Sequence, residues 1–136
     1  MDYDKKELIR EALKARTFAY APYSQFFVGA ALLAKDASVS SGCNIENVAY
    51  GPTNCAERTA FFQAISKGKR EFRAIAIVGG KNNEMEDTFP CGICRQVMQE
   101  FCDPEEFEII VAKSEEEFQV FTLATLLPHG FTLKKE

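Results

Sequence analysis

The sequence predicts an α/β fold, a three-layer α/β/α sandwich built around one mixed five-stranded sheet. Segments with helical spacing alternate with apolar segments in the order α-β-β-α-β-α-β-β-α. Strands as continuously apolar as these need burial on both faces, so helices are expected to cover both sides of the sheet. The chain has 136 residues, of which 46% are hydrophobic, and residues 1–136 are therefore expected to form a single domain.

The chain begins with a predicted helix and a predicted β-hairpin. Apolar residues recur at helical spacing over residues 5–19, and Pro22 follows as a stop signal. The run FFVGAALLAK, residues 26–35, predicts a mostly buried strand. A turn near Asp36 joins it to a second strand over residues 39–44, and the two strands are expected to pair.

The middle of the chain predicts a helix, a strand and a loop. The helix covers residues 55–66, and Gly68 can terminate it. The run FRAIAIVGG, residues 72–80, predicts the next buried strand. The polar residues 81–89 are expected to form a loop.

The C-terminal part predicts a third helix, two strands and a last short helix. Pro90 suits the first turn of the helix that carries CGICRQVMQEFC. The runs FEIIVAK, residues 107–113, and FQVFT, residues 118–122, predict strands. The short helix that follows is expected to end at Pro128.

Charge and hydropathy argue against several classes of function. With 16 Lys and Arg against 20 Asp and Glu, the formal net charge is -4, which does not suit binding of a polyanion such as DNA or RNA. The N-terminal stretch MDYDKKELIREALKAR lacks the apolar segment of a signal peptide, and no apolar run approaches the roughly 18 residues of a membrane span. The protein is expected to be soluble and cytoplasmic, with no membrane partner.

Five cysteines are an odd number in a chain long enough to fold without disulfides: Cys43, Cys55, Cys91, Cys94 and Cys102. In a reducing compartment, clustered cysteines more often bind metal. In PCGIC, Cys91 and Cys94 lie three residues apart at a helix start, so their side chains share one face. A lone C-x-x-C also occurs in redox dithiols and structural zinc sites, and this motif alone leaves those alternatives open.

Cys55 places a third thiol at a second helix start. Helix starts tend to gather at one edge of an α/β sheet, and their partial positive charge favours thiolates, so three thiols could meet around one ion. Arg58 shares a helix face with Cys55. Arg95 shares one with Cys91. Each guanidinium is expected to donate to a sulfur and offset its charge, although both arginines could instead be solvated surface residues.

Glu57 lies two residues after Cys55 and points to a different side of the helix, so it is badly placed to ligate the same ion. Three protein ligands leave the fourth tetrahedral position of zinc open to water, and an adjacent carboxylate can accept a proton from that water. Glu57 is therefore a candidate proton acceptor. The alternative is a carboxylate that only stabilises the first turn of the helix.

Four segments together carry a resemblance to a known family: CAE (residues 55–57), PCGIC (90–94), YAPYSQFFVGAALL (20–33) and GCNIENVAY (42–50). The chain resembles the small, homotetrameric zinc-dependent cytidine deaminases, over nearly its whole length. The resemblance implies the cytidine deaminase-like fold and a place in pyrimidine salvage. It also implies hydrolysis of cytidine and deoxycytidine to uridine and deoxyuridine with release of ammonia.

The resemblance also implies roles for particular residues, in a homotetramer with active sites at the subunit interfaces. One zinc ion (Zn2+) per chain would be held by Cys55, Cys91 and Cys94. Glu57 would shuttle protons. The implied substrate-binding residues are Asn44 and Glu46 for the ribose hydroxyls, Phe26 near the base, Ala56, and Tyr50 and Phe131 at the pocket of a neighbouring subunit.

The chain departs from the family pattern near its C-terminus. The family often has Pro-Gly-Ala-Phe there, whereas this chain has PHGF over residues 128–131. His129, the single histidine, is expected at the surface or at an interface. Cys43 and Cys102 match no ligand position and are expected to be small buried hydrophobic residues.

Three alternatives stay open at this point. A related deaminase could act on a cytosine nucleoside antibiotic such as blasticidin S or on a nucleotide, although the motif NIEN favours a free nucleoside. Cys43 or Cys102 could complete a closed four-thiolate zinc site in an interaction module. Cys91 and Cys94 could form a redox dithiol, which would leave Cys55 and Glu57 unexplained.

Overall fold

A computed structural model of the chain describes residues 2–133. These residues form one mixed sheet with helices on both faces. The helices are α1 (Lys5–Arg16), α2 (Ala56–Ser66), α3 (Gly92–Phe101) and α4 (Leu123–Leu126). The strands are β1 (Phe26–Ala34), β2 (Val39–Cys43), β3 (Phe72–Lys81), β4 (Glu84–Glu86), β5 (Glu108–Ala112) and β6 (Phe118–Thr122). None of the helices within residues 2–133 combines the length and the apolar character that crossing a bilayer requires.

The sheet has the order β2-β1-β3-β5-β6, and β4 pairs with the end of β3. Strand β1 is antiparallel to β2 and to β3, and β5 is antiparallel to β6. Strands β3 and β5 are parallel, which requires a long crossover connection. Helix α3 lies in that connection. The predicted mixed α/β sandwich is therefore present.

Strand β4 is the element that the sequence prediction missed. The loop expected over residues 81–89 contains Glu84–Glu86, which pairs with residues 79–81 and gives the sheet six strands instead of five. Asn82 adopts a left-handed φ of 52° and turns the chain back on itself. Because β4 has only three residues, two of which are exposed glutamates, hydropathy gives no signal for it.

Two helix starts and the end of α1 differ from the sequence prediction by one to three residues. Cys55 has extended backbone angles (φ -78°, ψ 155°) and caps α2, which begins at Ala56. Cys91 does the same for α3 (φ -69°, ψ 169°), so Pro90 lies before the cap and not in the first turn. Helix α1 ends at Arg16 and not at residue 19, because the chain leaves the helix through a turn at Thr17.

Two hydrophobic clusters cover the two faces of the sheet. On one face, α1 packs Leu8 and Ile9 against Ile110 and several alanines of the strands. On the opposite face, α2 and α3 contribute Phe61 and Met98 to a larger cluster. Because side chains alternate along a strand, the unbroken apolar run of each central strand serves both clusters.

Gly29 allows α1 to approach the sheet closely. A Cβ atom at Gly29 would lie 2.1 Å from the carbonyl oxygen of Ala12 and 2.5 Å from the amide nitrogen of Arg16. Arg16 then extends over the strands, where Nε donates to the Phe27 carbonyl at 2.8 Å and Nη2 donates to the Gly80 carbonyl at 2.7 Å. These contacts join α1 to β1 and β3.

The ends of β2 and β3 lie at the same edge of the sheet. Gly29 of β1 pairs with Cys43 of β2 on one side and with Val78 of β3 on the other. The connections that follow β2 and β3 therefore leave from one edge. Helices α2 and α3 both begin there, with Cys55 and Cys91 as their N-caps.

Candidate active site

Three of the cysteines form one cluster at this edge of the sheet. The Sγ atoms of Cys55, Cys91 and Cys94 lie within 4.8 Å of one another, and those of Cys55 and Cys91 are 3.8 Å apart. Two sulfurs bound to one tetrahedral zinc ion at about 2.3 Å would themselves be roughly 3.8 Å apart. The spacing and the thiol chemistry therefore fit a single zinc ion.

The two helix starts aim these thiols at a common point. Cys55 and Cys91 project from extended N-cap positions, and Cys94 follows within the first turn of α3. The backbone N–H of Cys94 donates to Sγ of Cys91 at 3.5 Å. Unpaired N–H groups and the helix dipole make both starts favourable for negative charge, which stabilises thiolates there.

The pKa of Cys55 lies well below that of an ordinary thiol. The hydrogen bond from the Cys94 thiol lowers it most and the contacts with Arg58 lower it further, to about 5, although burial acts in the opposite direction. The same hydrogen bond raises the pKa of Cys94, since Cys94 keeps the proton that it donates, and burial adds to the rise. The cluster therefore holds a thiolate at neutral pH, the form that binds metal.

The two arginines predicted to support the sulfurs behave differently. Arg58 contacts the cluster as predicted, with Nη2 donating to Sγ of Cys55 at 3.1 Å. The expectation for Arg95 is wrong. Its Nε donates to the Pro90 carbonyl at 2.7 Å and its Nη1 donates to the Leu126 carbonyl at 2.6 Å. Arg95 thus fastens the start of α3 to α4 and supports the cluster only through the backbone.

A cavity of about 220 Å³ lies beside the cluster. Its wall brings together six residues that the sequence analysis had singled out: Asn44, Glu46, Cys55, Ala56, Glu57 and Cys91. Five further residues complete the described wall: Val28, Thr53, Asn54, Thr88 and Phe89. The wall contains no Lys or Arg among residues 2–133, so the acidic groups that face a ligand, Glu46, Glu57 and the cysteine thiols, have no basic side chain beside them in the wall.

Glu57 is buried at this cavity, with 4% of its surface exposed. Burial raises the pKa of Glu57 to about 7, and the charge of Cys55 adds to the rise, although the backbone N–H of Glu57 and the charge of Arg58 oppose it. A carboxyl group that titrates near neutrality can both accept and release a proton. The arrangement is therefore suited to proton transfer beside the metal ligands.

Asn44 directly follows β2, and the backbone at the start of β1 holds its side chain. Its Oδ1 accepts from the Val28 N–H at 2.9 Å, and its Nδ2 donates to the Phe26 carbonyl at 2.8 Å. The amide orientation is fixed by these two bonds. Oδ1 can accept one further hydrogen bond and Nδ2 can donate one more, and these can face a ligand in the cavity.

Glu46 is held by the turn that precedes β1. Its Oε1 accepts from the backbone N–H groups of Tyr23 at 3.0 Å and Ser24 at 3.1 Å, and its Oε2 accepts from the Ser24 hydroxyl. The Ser24 hydroxyl, more than the backbone donors, holds the pKa of Glu46 below its usual value. Glu46 is therefore an ionised acceptor of fixed orientation.

Three aromatic residues predicted to bind substrate lie outside the cavity wall. Phe26 packs against the hydrophobic cluster on the α2 side of the sheet. Tyr50 is 88% exposed, and Phe131 is 63% exposed with its carbonyl accepting from Gln96. Their roles stay predictions. The sequence analysis missed Phe89, although its place directly before PCGIC was a signal that could have identified it.

The remaining cysteines do not join the cluster. Within residues 2–133 the group of potential metal ligands contains Cys55, Cys91 and Cys94 alone. Cys43 and Cys102 are each half-buried, and burial raises the pKa of both thiols. The alternative of a closed four-thiolate site therefore lacks a fourth sulfur among the described residues.

Residues 2–109 match a protein-family model, the cytidine and deoxycytidylate deaminase zinc-binding region. The chain belongs to this deaminase family. The match spans both thiol-bearing helix starts, and the predicted family and its zinc cofactor are confirmed.

Individual members of the deaminase family align over almost the whole chain. Over 129 residues, the chain is 50% identical to the cytidine deaminase of Halalkalibacterium halodurans, with 95% of each chain covered. It is 49% identical to the cytidine deaminase of Sporosarcina psychrophila, with 95% of this chain and 92% of the relative covered. The crystal structure of cytidine deaminase from Burkholderia pseudomallei superposes with a TM-score of 0.84 at 46% identity, covering 93% of this chain and 98% of that chain. The predicted fold class is confirmed.

Proposed function

We propose that this member of the deaminase family is a zinc-dependent hydrolase that converts cytidine and deoxycytidine to uridine and deoxyuridine. The observation that carries the proposal is the buried carboxyl group of Glu57 at the same cavity as Cys55 and Cys91 of the three-cysteine cluster. The cytidine deaminases that the chain resembles support the choice of substrate. The base would lie towards the cluster and the ribose towards Asn44 and Glu46.

Residues of this chain bind the substrate and move its protons. Zinc held by the three thiolates supplies Lewis acidity, which favours attack of water on C4 of the base. Glu57 accepts one proton from the attacking water and delivers it to N3. Glu57 then carries the second proton to the amino group, the C4–N bond breaks and ammonia leaves. Burial of Glu57 keeps these protons away from bulk water.

Asn44 and Glu46 would bind the ribose hydroxyls. An amide donates and accepts, and an ionised carboxylate accepts, so together they match a sugar hydroxyl that does both. A phosphate at the same end of the cavity would meet the negative charge of Glu46, and the described wall offers no basic side chain to offset it. The site is therefore better suited to a free nucleoside than to a nucleotide.

Other residues would act less directly. Arg58 offsets the negative charge of Cys55, and Arg95 supports the start of α3 through its backbone contacts. Ala56 contributes to the cavity wall beside Glu57. Phe26 near the base stays part of the proposal on resemblance alone.

Assembly and setting belong to the proposal as well. Tyr50 and Phe131 are exposed aromatic residues, suited to contact the pocket of a neighbouring subunit in a homotetramer with active sites at its interfaces. The three ligand thiols must stay reduced, which favours the cytoplasm. The similarity to cytidine deaminases supports a role in pyrimidine salvage. Residues 1–136 would act as a single catalytic domain.

An assay of the zinc-loaded full chain tests this function. Cytidine, deoxycytidine, deoxycytidylate and blasticidin S are supplied separately, and the loss of cytosine absorbance is followed together with ammonia release. We expect turnover of both nucleosides, with kcat/KM for deoxycytidylate at least about tenfold lower. Preference for the nucleotide or the antibiotic would transfer the assignment to those substrates. Failure with all four would refute the deaminase function. The molar mass of the same sample, measured by light scattering, tests the proposed tetramer.

A further inference from the structure

Phe89 supplies an aromatic ring to the described wall of the cavity beside the cysteine cluster. The residue is 42% exposed, so its ring is not fully buried in the hydrophobic core and can contact a ligand. We propose that Phe89 is a specificity-determining substrate contact, whose ring packs against the planar base. This inference rests on the proposed function and adds a residue to it.

The ring of Phe89 is supported from behind. Its centroid lies 5.4 Å from that of Phe121, with the ring planes inclined at 56°. Phe121 belongs to β6, the edge strand of the sheet, and pairs there with Ile109 of β5. A tilted aromatic pair at this distance is attractive, so Phe121 holds the Phe89 ring in place while leaving part of it uncovered.

The backbone on both sides of Phe89 is also fixed. Pro90 restricts the conformation of the residue before it, and the Pro90 carbonyl accepts from Arg95 at 2.7 Å. On the other side, Thr88 packs so closely on β3 that a Cβ atom at Gly79 would lie 2.5 Å from its hydroxyl oxygen. Phe89 is therefore held two residues from the metal ligand Cys91.

The composition of the cavity explains why an aromatic ligand suits it. Asn44, Glu46, Asn54 and Glu57 provide polar groups, whereas Phe89 and the nearly buried side chain of Val28 provide apolar surface. A pyrimidine has hydrogen-bonding groups along its edge and apolar faces. Packing one face on Phe89 removes apolar surface of both rings from water. Discrimination by Phe89 therefore acts on the base and not on the sugar.

Steady-state kinetics of Phe89→Ala, Phe89→Leu and Phe89→Tyr test the proposal, with cytidine as substrate and uridine as product inhibitor. Stacking on an aromatic side chain strengthens binding of a base by about tenfold or more, so Phe89→Ala should raise both KM and the uridine inhibition constant by about tenfold. Phe89→Tyr should restore both constants to near wild-type values, and Phe89→Leu should lie between. The matched control is Phe18→Ala, which removes a ring that is 76% exposed after α1 and should leave both constants unchanged.

Zinc content of each variant separates binding from support of the cluster. Unchanged KM and inhibition constants in Phe89→Ala and Phe89→Leu overturn the proposal, as does a loss of zinc or of kcat in both with KM unchanged. In either case cytidine turnover by the wild type would leave the proposed function intact. If the wild type does not deaminate cytidine, the proposed function fails, and equilibrium dialysis with cytidine decides on Phe89. Weaker binding by Phe89→Ala then supports the contact, and equal or absent binding overturns it.

Discussion

Nη2 of Arg58 lies 3.1 Å from Sγ of Cys55, so a guanidinium group faces a metal-ligand sulfur at the start of α2. We expect Arg58→Ala to lower kcat/KM for cytidine by about 10- to 100-fold, as is typical when a residue behind a metal ligand is lost. Arg58→Lys keeps the charge without the planar fork and should lie between. Arg10→Ala, which removes an exposed arginine on α1, is the control and should retain wild-type activity.

Replacing Glu57 by Gln removes the proton acceptor while keeping the shape of the side chain. We expect kcat to fall by at least about 10²- to 10⁴-fold, the usual contribution of a general acid-base group. Zinc measured by atomic absorption should stay near one per chain, because the cluster of potential metal ligands does not include Glu57. A variant with bound zinc and more than about a tenth of wild-type turnover would contradict the role of Glu57.

Loss of one cluster thiol should abolish zinc binding. Cys91→Ala leaves two sulfurs, and we expect the purified variant to contain little zinc and to have no measurable activity. Cys43→Ala removes a thiol outside the cluster, and this variant should keep both its zinc and its activity. Zinc lost from Cys43→Ala would instead revive the four-thiolate alternative.

Prolonged chelation of the wild type should lower its thermal midpoint as well as its activity. Structural zinc contributes about 10 to 16 kcal/mol in small peptides, which is comparable to the whole stability of a typical domain, about 5 to 15 kcal/mol. Differential scanning calorimetry with and without chelator measures the change. Full activity and an unchanged midpoint in a preparation shown to be zinc-free would be incompatible with the proposed site.

Gly29→Ala should destabilise the fold through the contact between α1 and β1. The new methyl group would lie 2.1 Å from the carbonyl oxygen of Ala12, so the backbone of α1 or of β1 would have to shift. We therefore expect the free energy of unfolding to fall by about 1 to 3 kcal/mol or more. Gly51→Ala is the matched control, since its Cβ atom would meet nothing within 4 Å. Urea denaturation curves of both variants measure the difference. Equal midpoints for the two would disprove the close approach.

The hydroxyl of Tyr3 donates to Oε1 of Glu108 at 2.5 Å, and we expect this contact to make folding sensitive to alkaline pH. Burial, followed by this hydrogen bond, raises the pKa of Tyr3. The neutral phenol is therefore favoured in the folded state, and its contribution is present below the unfolded pKa of about 10 and lost as the pH rises above it. Urea midpoints should show the wild type more stable than Tyr3→Phe at pH 7, with the advantage shrinking above about pH 10. A constant difference across that range would argue against the raised pKa.

Local patterns in the sequence determined every helix and strand except β4, and also the chemistry of the site. The spacing of Cys91 and Cys94 places both on one helix face because an α-helix repeats every 3.6 residues. The unbroken apolar runs of β1 and β3 predicted strands buried on both faces, and both strands lie inside the sheet. The pairing of Arg58 with Cys55 also followed from helical spacing. Each of these relationships is set within a few residues of the chain.

Relationships between distant segments were decided by the tertiary structure alone. Arg95 shares a helix face with Cys91, yet its guanidinium bonds the carbonyl of Leu126, 31 residues away, because the fold brings that acceptor within reach. Phe89 and Phe121 meet across the sheet edge in the same way. The cysteine cluster depends on strand register too, since the pairing of β1 with both β2 and β3 brings two helix starts to one edge. Such contacts depend on which surfaces pack together, and a long side chain with several possible acceptors has no local signal for the one that it will meet.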